Sequence, residues 1–209
     1  MLIVLAESCS AFGGEIQTTD GSGPAPQTSE ITIWTNGLGN GFRPGVQTLN
    51  GEAGGSYGLN AFGSRQAHHL VLGSLSYGYM RSPVRNADHW YRGNWEWRAE
   101  LFGGEQFSPT DDWILGLTPH LRYNLATGTR LIPFVDGGAG VTFMRADQPD
   151  LSSDFEFNLQ GGTGVHYFVR NNLAVTVEAR YFHISDAGIR HPNYGLNGVG
   201  GMIGLTWFF

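Results

Sequence analysis

Residues 172–209 alternate apolar and polar side chains with a period of two, the pattern of an extended strand with two unlike faces. Leu173, Val175, Val177, Ala179 and Tyr181 share one parity, and Thr176, Glu178 and Arg180 take the other. Glu178 and Arg180 then face a wet side and the aliphatic residues an oily one. His183 and Ser185 continue the oily parity. A base and a nucleophile two residues apart on an apolar face are costly to place there without a use, and together they are the groups of nucleophilic catalysis. After a polar loop the pattern resumes, with Ile203, Leu205, Trp207 and Phe209 on one face and Met202, Gly204, Thr206 and Phe208 on the other. Asn197 has the parity of Leu205, which puts it on the same oily side as His183 and Ser185.

The same alternation can be followed backwards through the chain. It sets Phe155, Phe157, Leu159 and Tyr167 against Glu156, Asn158, Gln160 and His166 within 154–168. Within 130–144 it sets Leu131, Val135, Val141 and Phe143 against Asp136. Within 112–124, Trp113, Leu115, Leu117, Leu121 and Tyr123 oppose His120 and Arg122, and within 94–106 Trp95, Trp97, Ala99 and Leu101 oppose Glu96, Arg98 and Glu100. Residues 67–80 carry Val71, Leu75, Tyr77 and Tyr79, and a first strand is expected within 46–60. That makes eight strands. No apolar run reaches the roughly 18–20 residues of a membrane helix. An amphipathic last strand ending in an aromatic residue is typical of outer-membrane barrels.

Composition agrees. Charged residues are only 14% of the chain, while 32 glycines and 13% aromatic residues suit a barrel wall of small residues with aromatic rims. The expected fold is therefore all-β: an eight-stranded antiparallel transmembrane β-barrel over 30–209, preceded by a disordered leader and flexible tail over 1–29. An eight-stranded lumen is just wide enough to fill with side chains, so Glu96, Glu100, Asp136, Glu156 and Glu178 are expected to pair there with Arg98, Arg122 and Arg180. Such a lumen argues against a porin. The tight turns at 125–129 and 169–172 read as periplasmic, and the longer connections at 145–153 and 186–196 as external. The connection at 81–93 is long for a periplasmic turn.

Residues 1–11 resemble a clipped signal peptide, and the single cysteine, Cys9, falls inside it, so no disulfide can form within the chain. Ile31 to Trp34 carry strand-forming residues, whereas 36–45 are mostly turn chemistry. The net charge of −6 argues against nucleic acid as a partner. All twelve basic residues are arginine, which reads first as a compositional bias of the genome and second as a set of forks that match the phosphates of lipid A head groups. The histidines outside the last strands lack ligand spacing on one face, so no metal site is expected.

The segment His183-Ile-Ser185-Asp-Ala-Gly188, followed by Pro192-Asn193 and Gly195-Leu-Asn197, is similar to the lipid A 3-O-deacylase family of PagL-like acyl hydrolases. Those proteins are eight-stranded outer-membrane barrels with a His-x-Ser-Asn-Ala-Gly motif on the penultimate strand and a Pro-Asn-x-Gly loop. The resemblance is sharp over 172–209 and architectural before that. It implies Ser185 as nucleophile, His183 as general base and Asn197 in place of the family's acid. It further implies Asn193 as an oxyanion donor, supported by Asp186, Ala187 and Gly188. Two positions depart from the family: an acid, usually Glu, is expected at 197, and an Asn at 186. Asn197→Glu is expected to raise deacylation in a working but weakened triad and to change nothing in an inert barrel. The implied reaction hydrolyses an acyl ester of lipid A in lipopolysaccharide, at the bacterial outer membrane, without cofactor or metal. Read without the resemblance, the same residues also fit a non-catalytic barrel with a structural or adhesive role. Whether two copies form a homodimer is left open.

Overall fold

The computed structural model describes residues 41–145 and 150–209. The expectations for 1–29 and for Ile31 to Trp34 lie outside the described residues. Eight strands follow one another: β1 Gln47–Gly58, β2 His69–Met80, β3 Gly93–Ser108, β4 Asp112–Leu125, β5 Leu131–Met144, β6 Phe155–Arg170, β7 Leu173–Ser185 and β8 Leu196–Phe208. Each pairs antiparallel with its neighbour, and β8 returns to β1, so the sheet is a closed barrel without a free edge. Closure lets the strands pair their backbone groups within the wall, as a lipid environment demands. Among the described residues no helix is long and apolar enough to cross a membrane.

Alternation sorts the two faces as expected. Leu75, Trp97, Leu117, Val135, Leu159, Val177 and Leu205 point outward, and Asn50, Glu100, Arg122, Asn158 and Glu178 point inward and are buried. The lumen is filled in three layers. Phe42, Met80, Ala126, Ile132, Phe168, Ala174 and Phe208 form an apolar plug at the end that carries the start of β1 and the end of β8. Leu72, Phe102, Ile114, Phe182, Ile184, Leu196 and their neighbours form a second plug near the other end. Between them lies the charged layer. Arg122 bonds Asp136 at 2.7 Å and Glu178 at 2.7 Å, Arg98 bonds Asp136 at 2.8 Å, and Arg180 joins Glu178 to Glu100.

Two of the expected lumen pairings differ. Glu96 accepts from Thr48 Oγ1 at 2.7 Å and Asn124 Nδ2 at 3.1 Å, not from an arginine. Glu156 lies above the charged layer and forms no ion pair with the lumen arginines among the described residues. Inward glycines keep neighbouring backbones in contact where the wall is crowded. A Cβ on Gly54 would overlap the carbonyl of Gly201, and one on Gly204 that of Gly51, so the β8–β1 seam closes only with glycine at these positions.

The two ends of the barrel differ. Connections 59–68, 145–154 and 186–195 gather at one end with the short 109–111. The turns 126–130 and 171–172 lie at the other, together with 81–92. That longest turn folds back on itself through paired hydrogen bonds between Arg85 and Gly93 and is tied to the next turn by Arg92 Nε donating to Ala126 O at 2.6 Å. A long turn held down in this way does not alter the orientation, in which the end with the larger loops faces outward.

Candidate active site

The site is built where β7 and β8 emerge at the loop end. His183 and Asn197 are cross-strand partners, and Ser185 sits two residues above His183, opposite Phe157 of β6. All three project from the outer wall, as their parity requires. Around the same rim the outward positions are aromatic: Tyr57, Phe107, Trp113, Phe143, Phe155 and Phe157. The polar group thus interrupts an aromatic ring at the depth where acyl chains meet head groups.

His183 Nδ1 lies 2.8 Å from Asn197 Oδ1, which also accepts from the Tyr181 hydroxyl at 2.7 Å. Asn197 Nδ2 donates to the carbonyl of Ala61 at 2.8 Å. A carbonyl only accepts, so the amide is oriented by Ala61 with its NH2 toward the loop and its oxygen toward the imidazole. Nδ1 must then carry the proton, and Nε2 is left with its lone pair. This is the tautomer of a general base. Asn197 is only 1% exposed because loop 59–68 folds over it, with Leu59 N donating to Asn197 O at 2.7 Å.

The loop 186–195 carries the remaining expected residues. Ala187 and Gly188 both have positive φ, 57° and 81°, and Ile189 N bonds back to Asp186 O at 3.2 Å, which makes a turn of the hairpin type. Asp186 points inward, and its carboxylate accepts from Gly188 N at 2.8 Å and Arg190 N at 2.6 Å. Its charge is spent on the turn and does not face the imidazole. Asn193 Oδ1 accepts from Asp186 N at 3.4 Å, which leaves the amide NH2 of Asn193 without a protein partner among the described residues. Gly195, at φ 72°, brings the loop back onto β7. A Cβ there would lie 3.1 Å from His183 Cε1 and 3.7 Å from Ser185 Cβ, so the imidazole edge and the serine flank one spot. No hydrogen bond joins the Ser185 hydroxyl to His183 among the described residues.

Sequence reasoning missed the supports. Ser64 Oγ donates to Gly195 O at 2.7 Å. Asp150, fully buried, accepts from Arg65 N, from Gln66 N at 2.9 Å and from His68 Nε2 at 3.1 Å, while its own carbonyl accepts from Tyr194 N at 2.8 Å. Arg65 stacks on the Tyr194 ring with its guanidinium carbon 3.7 Å from the centroid. Three loops are thereby joined beside the site. Tyr181 was legible only as an outward residue, and Ala61 acts through its backbone, which leaves no side-chain signal.

Below the site the outer wall is hollowed. A depression of about 590 Å³ runs over Gly54, Gly55, Gly200 and Gly201 between Tyr57, Val71, Phe107 and Val199. Val199 pairs with both Tyr181 and Tyr57, so the depression begins one row beneath the His183–Asn197 pair.

The family model for lipid A 3-O-deacylase (PagL) matches residues 73–206, and with them all of β7, most of β8 and the polar rim group. The chain belongs to that family. Among solved structures, Neisserial surface protein A (NspA) is similar with a TM-score of 0.60 at 17% identity, covering 79% of this chain and 99% of that one. The outer-membrane enzyme PagL is similar with a TM-score of 0.52 at 19% identity, covering 76% of this chain and 97% of that one. At these identities both show the shared barrel alone. No curated protein matches the sequence. Family and fold together make this PagL-family protein a bacterial outer-membrane barrel. Loop 59–68, which orients Asn197, lies outside the matched residues.

Proposed function

We propose that this protein hydrolyses an acyl ester of lipid A, at the 3-O-linked hydroxy fatty acid, by a serine–histidine mechanism on its lipid-facing wall. The observation that carries the reading is the 2.8 Å contact of His183 Nδ1 with an Asn197 oxygen whose orientation is set by Ala61. It presents a basic Nε2 on the same outer face as Ser185. The acyl chain lies along the hollowed wall beneath the site, with its ester at the rim. Ser185 Oγ attacks the ester carbonyl and gives its proton to His183 Nε2. The free amide of Asn193 donates to the oxyanion, a contact worth about 3–4 kcal/mol in comparable sites. His183 returns the proton to the leaving sugar hydroxyl, then activates the water that releases the fatty acid. Substrate binding closes the Ser185–His183 contact, as catalytic hydrogen bonds are commonly long before substrate binds.

The open Ser185–His183 contact is also what a barrel that has lost hydrolysis would show. Mass spectrometry of lipid A from cells expressing wild type or Ser185→Ala separates the two readings. Loss of one acyl chain in the wild type alone supports the enzyme. Identical acyl patterns in both would remove it.

A further inference from the structure

The arginines are distributed unevenly between the two ends of the barrel. Arg43, Arg81, Arg85, Arg92, Arg130 and Arg170 all lie at the end with the short turns, where Asp88 is the one side-chain carboxylate among the described residues. Five of the six are exposed, and Arg92 is half-buried. None of them forms an ion pair with a described residue, whereas the lumen arginines are all multiply paired. Arg92 and Arg130 donate to backbone carbonyls of Ala126, Thr127 and Phe168, which splays their guanidinium groups along the rim. The loop end is the opposite. There Glu105, Asp111, Asp112, Asp150, Asp154 and Asp186 outnumber Arg65, Arg145 and Arg190 among the described residues.

The basic rim also has a neighbour that specifies its partner. Directly above it, on the outer wall, stand Tyr77, Tyr79, Trp95, Trp97, Tyr167 and Trp207. Tyrosine and tryptophan collect where hydrocarbon meets head groups. The arginines therefore hang at the height of lipid phosphates, and turn 81–92 extends the surface with Trp90, which is 89% exposed. A soluble polyanion would leave the aromatic belt unused. A bilayer leaflet engages both at once.

We propose that the short-turn rim is a docking surface for anionic glycerophospholipids of the periplasmic leaflet, with the arginines binding head-group phosphates beneath the aromatic belt. Such binding fixes the height of the barrel in the membrane. Because the strands are rigid, it also fixes the height of the polar group on the opposite rim.

The test is lipid selectivity of the full chain in phosphatidylcholine bilayers, read by electron paramagnetic resonance of spin-labelled phosphatidylglycerol against spin-labelled phosphatidylcholine. Wild type should prefer the anionic label by about threefold or more at low salt, falling as salt rises. The variant Arg81→Gln/Arg85→Gln/Arg130→Gln/Arg170→Gln should bring the ratio to unity, and its lysine counterpart should restore it. Barrel closure of each variant is checked by heat-modifiable gel mobility. The opposite-end variant Arg65→Gln/Arg190→Gln should leave the preference unchanged. No preference in wild type, a preference that survives the fourfold glutamine variant, or one abolished by the opposite-end variant would overturn the proposal. So would a preference that appears only after Glu7, Glu15, Asp20 and Glu30 are neutralised, because the rim would then be occupied by the chain's own N-terminal segment.

Discussion

The Tyr181 hydroxyl donates to Asn197 Oδ1 at 2.7 Å, on the same oxygen that faces His183 Nδ1. The two donors approach from neighbouring outward positions of β7, so the amide oxygen is fixed from below as well as from the side. In serine-protease triads, an amide in place of the acid lowers kcat by about 10⁴, chiefly by holding the wrong imidazole tautomer. Here the contacts of Asn197 with Ala61 and Tyr181 disfavour that tautomer, so in the proposed mechanism an asparagine would still hold the imidazole as a base. Tyr181→Phe removes one hydrogen bond of about 1–1.5 kcal/mol without changing the apolar contacts. We expect kcat for lipid A deacylation to fall about tenfold with KM unchanged. An unchanged kcat would show that Tyr181 plays no part in holding the amide.

The contact of Asn197 with Ala61 argues against a gain from the shorter acid, aspartate, at 197. Asn197 Nδ2 donates to Ala61 O, and a carboxylate oxygen in its place would face that carbonyl with no proton between them. An unsatisfied buried pair of this kind costs about 1–3 kcal/mol. Asn197→Asp is therefore expected to lower the unfolding midpoint in denaturant titrations and to loosen loop 59–68, with deacylation falling below wild type. Higher activity in Asn197→Asp would mean that imidazolium stabilisation outweighs the clamp.

Much of this architecture was legible because a membrane wall forces a strict alternation. β4 was expected at 112–124 and runs Asp112–Leu125, since its tryptophan, leucines and tyrosine face lipid while His120 and Arg122 face the lumen. β1 was harder to place. Glycines at 51, 54, 55 and 58 thin its pattern, and three of its outward positions carry little or no side chain. The parity of His183, Ser185 and Asn197 was readable for the same reason as the strands. What stayed hidden depends on loops meeting in space. Ala61 contributes a carbonyl that any residue possesses, and His68 finds Asp150 across more than eighty residues of chain. The pairing of lumen charges was visible as a class but not as partners, because register decides which arginine Glu96 or Glu156 can reach.

Gly195 brings the loop close to His183 and Ser185. Its φ of 72° disfavours any L side chain, and a Cβ would stand 3.1 Å from His183 Cε1. Gly195→Ala therefore strains the backbone by about 1–2 kcal/mol and pushes the imidazole away from its place. The imidazole has to give by only a few tenths of an ångström, so deacylation should fall by about tenfold, of the order of the backbone strain, while the barrel still shows the heat-modifiable mobility of the closed form. Wild-type rates in Gly195→Ala would show that the loop does not set the imidazole position.

Asp150 offers the most direct test of how the loops support the chemistry. Its carboxylate holds two backbone N–H groups of loop 59–68 and the Nε2 of His68, whose Nδ1 faces Gln106 Oε1 at 2.9 Å. The Gln106 amide donates in turn to Thr110 O at 3.0 Å, so its oxygen is committed to His68 and both imidazole nitrogens face acceptors. Asp150→Ala leaves these buried donors unpaired at once, and a buried donor left without a partner costs about 1–3 kcal/mol. Because the strands close without the clasp, the cost should appear as local opening and not as loss of the barrel. Hydrogen exchange should rise across 59–68 and 186–195 while the β3–β4 strands stay protected. Deacylation should drop with it, since Ala61 and Gly195 lose their anchor. Fast exchange in the loops with undiminished activity would separate the clasp from the site and leave it a purely structural fastening.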